Sequence, residues 1–106
     1  MKFKEAFTYD DMLIVPQYSD ITSRSEVDIS NNLGHRKLRI PIIASPMDTV
    51  SEAGMAIAMY QAGGMAVLHR YNSITDQAAM ATMVTKVSNW SGQVAGAIGG
   101  TGDFME

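Results

Sequence analysis

Three short clusters of residues each follow an apolar run of the sequence, and each could bind a ligand. The clusters are Ala44–Thr49, His69-Arg70 and Gly99–Gly102. A histidine can give a proton or a hydrogen bond, an arginine can hold a phosphate or a carboxylate, and glycines at a helix start can admit a phosphate. Each cluster alone has an ordinary explanation as a loop or a cap. All three together, each after a predicted strand, favour a ligand site.

The first cluster contains the most specific residue types. Ser45 can hydrogen-bond a ligand, and Met47 can pack on a flat ring. Asp48 and Thr49 precede a predicted helix, so the alternative is that they only cap that helix while Met47 lies in the core.

Strands and helices alternate along the chain and must position these clusters. Apolar runs predict buried strands at Ile40–Ala44, Met65–Leu68 and Val94–Ile98. The patterns Thr49–Glu52 and Ser73–Asp76 predict the capped starts of two intervening helices. Each helix has an apolar stripe with i, i+3, i+4, i+7 spacing, formed by Met55, Ala58, Met59 and Ala62 in the first and by Met80, Met83, Val84 and Val87 in the second.

The remaining segments are read from their turn residues. Gly63-Gly64 predicts a left-handed end to the first helix. Before Ile40, short apolar pieces alternate with turn residues such as Ser30–Asn32, which predicts a leading segment with a strand or two, or a hairpin. Ser23-Arg24 lies in this segment, where a plain surface loop is the alternative to a binding role.

The order strand, helix, strand, helix, strand predicts an α/β fold with parallel strands and right-handed crossovers. A doubly wound sheet and a (β/α)₈ barrel share this order, and the spacing does not separate them. A third helix would begin near Asp103, so the sequence reads as the opening section of a longer protein. In either fold the three clusters meet at the carboxyl edge of the sheet.

Composition excludes several classes of function. The formal net charge of −3 predicts no nucleic-acid interface, and the absence of cysteine excludes a disulfide scaffold, a thiolate zinc site and a cysteine nucleophile within the chain. No metal site is predicted. No apolar run reaches the roughly 20 residues of a membrane span, and Met1–Asp10 does not resemble a signal peptide. The default location is therefore the cytoplasm, with no membrane partner.

Three stretches resemble the IMP dehydrogenase and GMP reductase family. Phe7–Pro16 is similar to the opening of these proteins, and Ile40–Met59 contains S-P-M-D-T-V-S-E-A, which is similar to the S-P-M-D-T-V-T-E-A motif of IMP dehydrogenases. Gly63-Gly64 followed by Leu68-His69-Arg70 resembles the second strand of the family. The resemblance implies that residues 1–106 are the N-terminal portion of a (β/α)₈ TIM barrel that oxidises or reduces purine nucleotides.

The resemblance also implies roles for individual residues. Ser45 and Met47 correspond to residues that line the nucleotide pocket. A second set corresponds to residues near the nicotinamide cofactor, and it comprises Ser23, Arg24, His69, Arg70, Gly100 and Thr101. The cofactor would be NAD in an IMP dehydrogenase and NADP in a GMP reductase. The full-length enzyme could use a monovalent cation, for which this chain supplies no ligands, and would form a homo-oligomer, a tetramer in the family.

Two departures bear on which enzyme this is. The family's catalytic cysteine attacks purine C2 before hydride transfer to NAD and hydrolysis, and it lies downstream of Glu106, so the chain alone is predicted to be inactive. The CBS modules of most IMP dehydrogenases are absent, since Trp90–Gly92 runs straight into the third strand. Their absence favours GMP reductase, whereas the S-P-M motif favours IMP dehydrogenase. We favour IMP dehydrogenase, with GMP reductase as the alternative and a non-catalytic assembly or nucleotide-binding module as the second.

Overall fold

A three-stranded parallel sheet is the centre of the folded part. The computed structural model describes residues 1–88 and 94–100. Ile43 lies beside Met65 and Ala66 lies beside Val94 in the register of the sheet. The strands follow chain order and are β3 (Ile43–Ala44), β4 (Met65–Leu68) and β5 (Val94–Gly96). The predicted α/β order and the parallel pairing are confirmed, although β3 and β5 are shorter than the apolar runs that predicted them.

Small side chains let the helices approach this sheet closely. Helix α1 (Ala53–Ala62) connects β3 to β4, and helix α2 (Ile74–Ser88) lies between β4 and β5 in the chain. The core combines alanines of α1 and β4 with larger side chains of β4 and α2, and its buried members are Ala53, Ala56, Ala66, Leu68 and Val84. Full burial of a Leu or Val side chain contributes about 1.5–3 kcal/mol, so Leu68 and Val84 are leading contributors to the stability of this small core.

The buried face of α1 is rotated from the predicted stripe. Met55, Ala58 and Ala62 are exposed, so the prediction was wrong for these three residues, whereas Met59 packs against the core as predicted. The inward face instead contains Ala53, Ala56, Ile57 and Tyr60. Almost every residue of α1 is apolar, and periodicity therefore does not select one face of this helix.

Helix α2 has half of its predicted stripe in the core. Val84 is buried and Met80 packs against the core, as predicted. Met83 and Val87 are instead 54% and 50% exposed. Gln77 and Ala81 take their places on the inward face, since both are partly buried.

The helix termini confirm two predictions and correct one. Ser73 Oγ accepts the Asp76 N–H at 3.1 Å and donates to the Asp76 carboxylate at 2.7 Å, which is the predicted cap of α2. Gly63 ends α1 with a φ of 99°, and its N–H donates to the carbonyls of α1's last turn. The predicted capping box over Thr49–Glu52 is wrong, because α1 begins at Ala53 and the Glu52 side chain makes no cap bond.

The leading segment contains the predicted hairpin, but its turn lies further along the chain. Strand β1 (Asn31–Leu33) pairs antiparallel with β2 (Arg36–Leu38) around Gly34, whose φ is 61°. Ser30–Asn32 therefore leads into a strand rather than forming the turn that its composition predicted. A glycine takes this left-handed backbone conformation without steric cost, which is why the reversal falls at Gly34.

Residues 1–29 are exposed and contain two short 3₁₀ turns, Tyr9–Asp11 and Arg24–Glu26. In the first turn the Asp11 carboxylate accepts the Thr8 N–H at 2.8 Å, and this bond holds the pKa of Asp11 below its ordinary value of 3.8. The radius of gyration is 18.2 Å, against about 13 Å for a compact domain of this length. The leading segment therefore extends away from the core. No helix within residues 1–88 and 94–100 is long and apolar enough to cross a membrane.

Candidate functional site

Ser51 joins two of the predicted clusters at the carboxyl edge of the sheet. Its side chain is fully buried, and its hydroxyl donates a hydrogen bond to the Ser45 carbonyl. Its own carbonyl accepts the His69 N–H at 3.3 Å, directly after β4. The loop that follows β3 and the turn that follows β4 are therefore tied together through one serine, which places Ser45 and His69 at the same edge as predicted.

The loop after β3 presents its side chains to solvent. The Met47 carbonyl accepts the N–H groups of Val50 and Ser51, which closes a turn before α1. Met47 is 53% exposed, so it is not a core residue. Asp48 and Thr49 are also exposed and lie in this turn rather than at the cap of the helix. The structure therefore excludes the alternative in which Met47 is buried and Thr49 caps α1.

His69 is buried, and both of its ring nitrogens have partners within the chain. Only 3% of the residue is exposed. Its Nδ1 accepts the Tyr71 N–H at 3.1 Å, and its Nε2 lies 3.1 Å from a carboxylate oxygen of Glu52. Since Nδ1 is the acceptor, the proton is on Nε2, which donates to Glu52. The ring therefore makes its polar contacts inside the chain.

Arg70 is the member of the His69-Arg70 pair that faces solvent. Its guanidinium carbon lies 5.0 Å from the centre of the Tyr71 ring, a cation–π distance. It forms no ion pair within residues 1–88 and 94–100. A guanidinium that lies over a ring and has no acidic partner among the described residues is suited to bind a phosphate or a carboxylate.

Gln77 links the ends of β4 and β5, and sequence reasoning missed it. Its side-chain amide donates to the His69 carbonyl at 2.9 Å and to the Ala97 carbonyl at 3.0 Å. A Cβ added to Gly96 would lie 3.3 Å from the Gln77 side-chain oxygen, so the glycine leaves room for this amide. Glutamine on a helix is usually exposed, and the only available signal was its position one turn after the Ser73 cap.

An open groove of about 770 Å³ runs between α2 and β5. Arg70, Asn72, Ser73 and Gly99 line it at the carboxyl edge. The amide nitrogen of Asn72 is buried there without a hydrogen-bond partner among the described residues. A buried donor without a partner is uncommon in folded proteins, and it suits a site whose ligand supplies the acceptor.

The last predicted residues differ in how they relate to this edge. No atom of the described residues, apart from its chain neighbours, lies within 4 Å of a Cβ built at Gly100, which lies three residues after Ala97, whose carbonyl Gln77 binds. Thr101 lies outside the described residues. Ser23 caps its own 3₁₀ turn by accepting the Ser25 N–H at 3.3 Å, and the hydrogen bonds described for Ser23 and Arg24 stay within that turn. Within the part of the chain that the structure describes, no hydrogen bond joins this pair to the carboxyl edge.

Replacement of Ser51 by alanine should loosen the carboxyl edge. The Ser45 carbonyl would keep the Met47 N–H, at 2.9 Å, but lose the Ser51 hydroxyl, and a hydrogen bond of this kind contributes about 0.5–1.5 kcal/mol. Urea unfolding followed by circular dichroism measures the loss, and amide exchange at His69 locates it. Ser25→Ala is the control, because Ser25 is exposed and its loss should change stability by less than about 0.5 kcal/mol. Equal effects of the two substitutions would contradict the role of Ser51.

Comparison with known proteins gives a consistent result. The model of a family described as "IMP dehydrogenase / GMP reductase domain" matches residues 6–105. An inosine-5'-monophosphate dehydrogenase of Nitrosopumilus maritimus is 49% identical over 79 residues, which are 74% of this chain and 17% of the relative. A GMP reductase of Leishmania donovani is 44% identical over 87 residues, 81% of this chain and 18% of that protein.

Solved structures lead in the same direction. A crystal structure of GMP reductase from Trypanosoma brucei in complex with guanosine 5'-triphosphate aligns with a TM-score of 0.70 at 51% identity, covering 74% of this chain and 19% of that one. The C318A form of the same enzyme aligns with a TM-score of 0.73 at 49% identity and covers 79% of this chain. The chain thus spans less than a fifth of the length of these relatives.

Proposed function

Because the chain belongs to the IMP dehydrogenase / GMP reductase family, we propose that residues 1–106 are the N-terminal portion of a (β/α)₈-barrel oxidoreductase that acts on purine nucleotides. The parallel order β3-β4-β5 suits the opening of such a barrel. No CBS module would lie within it, since only residues 89–93 separate α2 from β5. The observation that carries the proposal is the convergence of the Ser45 loop and the His69-Arg70 turn on Ser51.

The purine nucleotide would lie against Ser45 and Met47. Both side chains are exposed at the carboxyl edge, where ligands of such barrels bind. The Met47 thioether can pack on a flat purine ring, and the Ser45 hydroxyl can donate to a nucleotide oxygen. The turn that Met47 closes with Val50 and Ser51 would hold both groups in place before the ligand arrives.

A nicotinamide dinucleotide would lie beside the turn that follows β4 and in the groove between α2 and β5. The residues present fit such a ligand, because among the described residues the Arg70 guanidinium forms no ion pair and the buried Asn72 amide nitrogen has no acceptor. Gly100 leaves space for close approach of a ligand. When bound, the dinucleotide accepts or gives the hydride. In this chain Arg70 would hold a phosphate, Asn72 would orient the ligand, and Thr101, Ser23 and Arg24 would complete the cofactor side.

The reaction we favour is the oxidation of IMP to XMP with NAD and water, a step of guanine nucleotide biosynthesis. Its support is the S-P-M-D-T-V-S-E-A motif, since Ser45 begins it and Met47 occupies its third position. The second candidate is the reductive deamination of GMP to IMP, in which NADPH supplies the hydride and the 2-amino group leaves as ammonia. Its support is the short link between α2 and β5 and the 51% identity to a GMP reductase structure.

The enzyme would be cytoplasmic and homo-oligomeric, and a tetramer is the form that its family resemblance implies. The support for an oligomer is the leading segment, in which Phe7, Leu13 and Ile14 are exposed at 64%, 95% and 96%. Exposed apolar side chains close together in a chain mark a contact surface rather than a solvated one. This segment would be covered by the remainder of the enzyme or by another copy.

Methionine methyl signals test the substrate side directly. Titration of the chain with IMP or GMP, monitored by NMR of labelled methionines, should shift the Met47 methyl. Met83 is the matched control, because it is 54% exposed on α2 and far along the chain from the site. Met47→Ala should weaken nucleotide binding about three- to tenfold, and Met83→Ala should leave it unchanged. The larger response to IMP or to GMP separates the two candidates, and equal shifts at both methyls would refute the assigned pocket.

A further inference from the structure

Glu52 and His69 lie between the proposed purine-nucleotide side, at Ser45, and the proposed cofactor side, at Arg70. Neither side chain needs to touch a ligand. We propose that they form a positioning pair. The Glu52 carboxylate holds the His69 ring in one tautomer, and the ring, through the Tyr71 N–H, sets the direction of Arg70. Only the identity of the molecule that Arg70 binds rests on the proposed function; the arrangement of the pair does not.

The first step is the choice of tautomer. Nδ1 can accept the Tyr71 N–H, at 3.1 Å, only if it has no proton. The proton is then on Nε2, which faces Glu52 Oε1 at 3.1 Å. A carboxylate that receives the second ring N–H is the usual way in which proteins fix an imidazole tautomer. Without Glu52 the buried ring would lose the partner that favours this arrangement.

The second step is the turn that contains Arg70. The bond from the Tyr71 N–H to the His69 ring closes residues 69–71 into a tight turn with Arg70 at its apex. The Tyr71 ring is stacked near the His69 ring, with centroids 6.4 Å apart and planes inclined by 23°. Arg70 lies over that same tyrosine ring. The imidazole therefore orients the tyrosine, and the tyrosine orients the guanidinium.

The third step connects this turn to the substrate side. Glu52 follows Ser51, whose hydroxyl binds the Ser45 carbonyl and whose carbonyl binds the His69 N–H. A shift of the Ser45 loop would therefore change the position of Glu52 relative to His69. Coupling of this kind is reciprocal. A nucleotide on the Ser45 side should therefore change affinity on the Arg70 side, and a dinucleotide should change nucleotide affinity by the same factor.

The pair can be broken without disturbing the core. The His69 side chain is 4% exposed, whereas the Glu52 side chain is 61% exposed and fills no space in the interior. Glu52→Ala should therefore keep the fold, with the Ala56 and Val84 signals as a check. Glu52→Gln keeps an oxygen that can accept the Nε2 proton. Glu5→Gln is the matched control, because Glu5 is exposed in the leading segment.

Long-range ¹⁵N NMR of the imidazole rings tests the positioning pair itself. His35 is the other histidine, and His35→Gln identifies its signals. We expect the Nε2–H pattern for His69, its retention in Glu52→Gln and Glu5→Gln, and its loss in Glu52→Ala. The Tyr71 amide and the Arg70 side-chain signals should shift only in Glu52→Ala. An Nδ1–H pattern, or unchanged Tyr71 and Arg70 signals in Glu52→Ala, would overturn the proposal.

Titration with NAD separates this proposal from the proposed function. Glu52→Ala should weaken NAD binding about tenfold, comparable to the loss of one charged hydrogen bond. In an Arg70→Ala background the same change should have no further effect, because it acts through Arg70. If the double variant loses NAD affinity by the product of the two single losses, positioning through Arg70 is refuted. If the unaltered chain does not bind NAD, the proposed cofactor site fails, and the imidazole spectra still decide the positioning pair.

Discussion

The purified 106-residue chain should show no oxidation of IMP by NAD and no reduction of GMP by NADPH. It contains no cysteine, and the proposed reaction requires a cysteine to attack purine C2. Removal of the nucleophile lowers turnover on the order of 10⁶-fold in well-studied enzymes, which takes the rate below detection. The absorbance of the reduced nicotinamide, followed with both nucleotides and both cofactors, measures the rate.

Activity should return when the chain is joined to the rest of its reading frame, provided that frame supplies a cysteine loop. Reading the gene beyond Glu106 is the direct check, and replacement of that cysteine by serine is the control for the restored rate. Turnover by the 106-residue chain alone would contradict the mechanism. An extended frame without a cysteine would favour the alternative of a non-catalytic nucleotide-binding module.

Gly64→Ala should be strongly destabilising. A Cβ at this position would lie 2.7 Å from the Ile42 carbonyl oxygen and 2.7 Å from the Met59 methyl carbon. Met59 can rotate away, but the Ile42 carbonyl is fixed by accepting the Met65 N–H at 3.1 Å, where β3 and β4 meet. Overpacking costs about 1–3 kcal/mol, and here it also separates the two strands. Chemical denaturation monitored by circular dichroism gives the free energy of unfolding.

Gly54→Ala is the matched control, since the substitution is the same and the surroundings differ. Apart from the backbone of α1 itself, no atom of the described residues lies within 4 Å of a Cβ at Gly54, in the first turn of the helix. Alanine is favoured over glycine in a helix by up to about 1 kcal/mol, so this variant should be as stable as the original chain or more stable. If Gly54→Ala and Gly64→Ala lower the free energy of unfolding equally, the close contact at Gly64 does not cause the loss of stability.

Sequence patterns predicted the parts of the fold that depend on local chemistry. The Ser73 cap, the glycine that ends α1 and the parallel order of the strands each follow from a short motif or from apolar runs. The inward face of α1 could not be predicted, because the helix is apolar nearly all round. Which side packs is decided by the sheet, where Ala66 leaves room for Ala56 to come close.

The sequence likewise predicted some residues of the candidate site and missed others. Ser45, His69 and Arg70 were found because residues that follow parallel strands meet at one edge. Glu52 and Gln77 were missed because their roles depend on partners distant in sequence. Glu52 suited a local capping box, yet its carboxylate binds His69, seventeen positions later. Gln77 reaches carbonyls at the ends of two strands, and no local pattern identifies a glutamine that does so.

The strand order has a consequence for how the protein forms during translation. β3 pairs with β4, and β4 pairs with β5, so each strand joins the one made just before it. Loop closure is inexpensive when paired segments are close in sequence, and chains with local contacts fold fast. Each βα unit can therefore dock as it leaves the ribosome. Among residues 1–88 and 94–100, β5 pairs only with β4, and its other backbone edge is a template for a further strand.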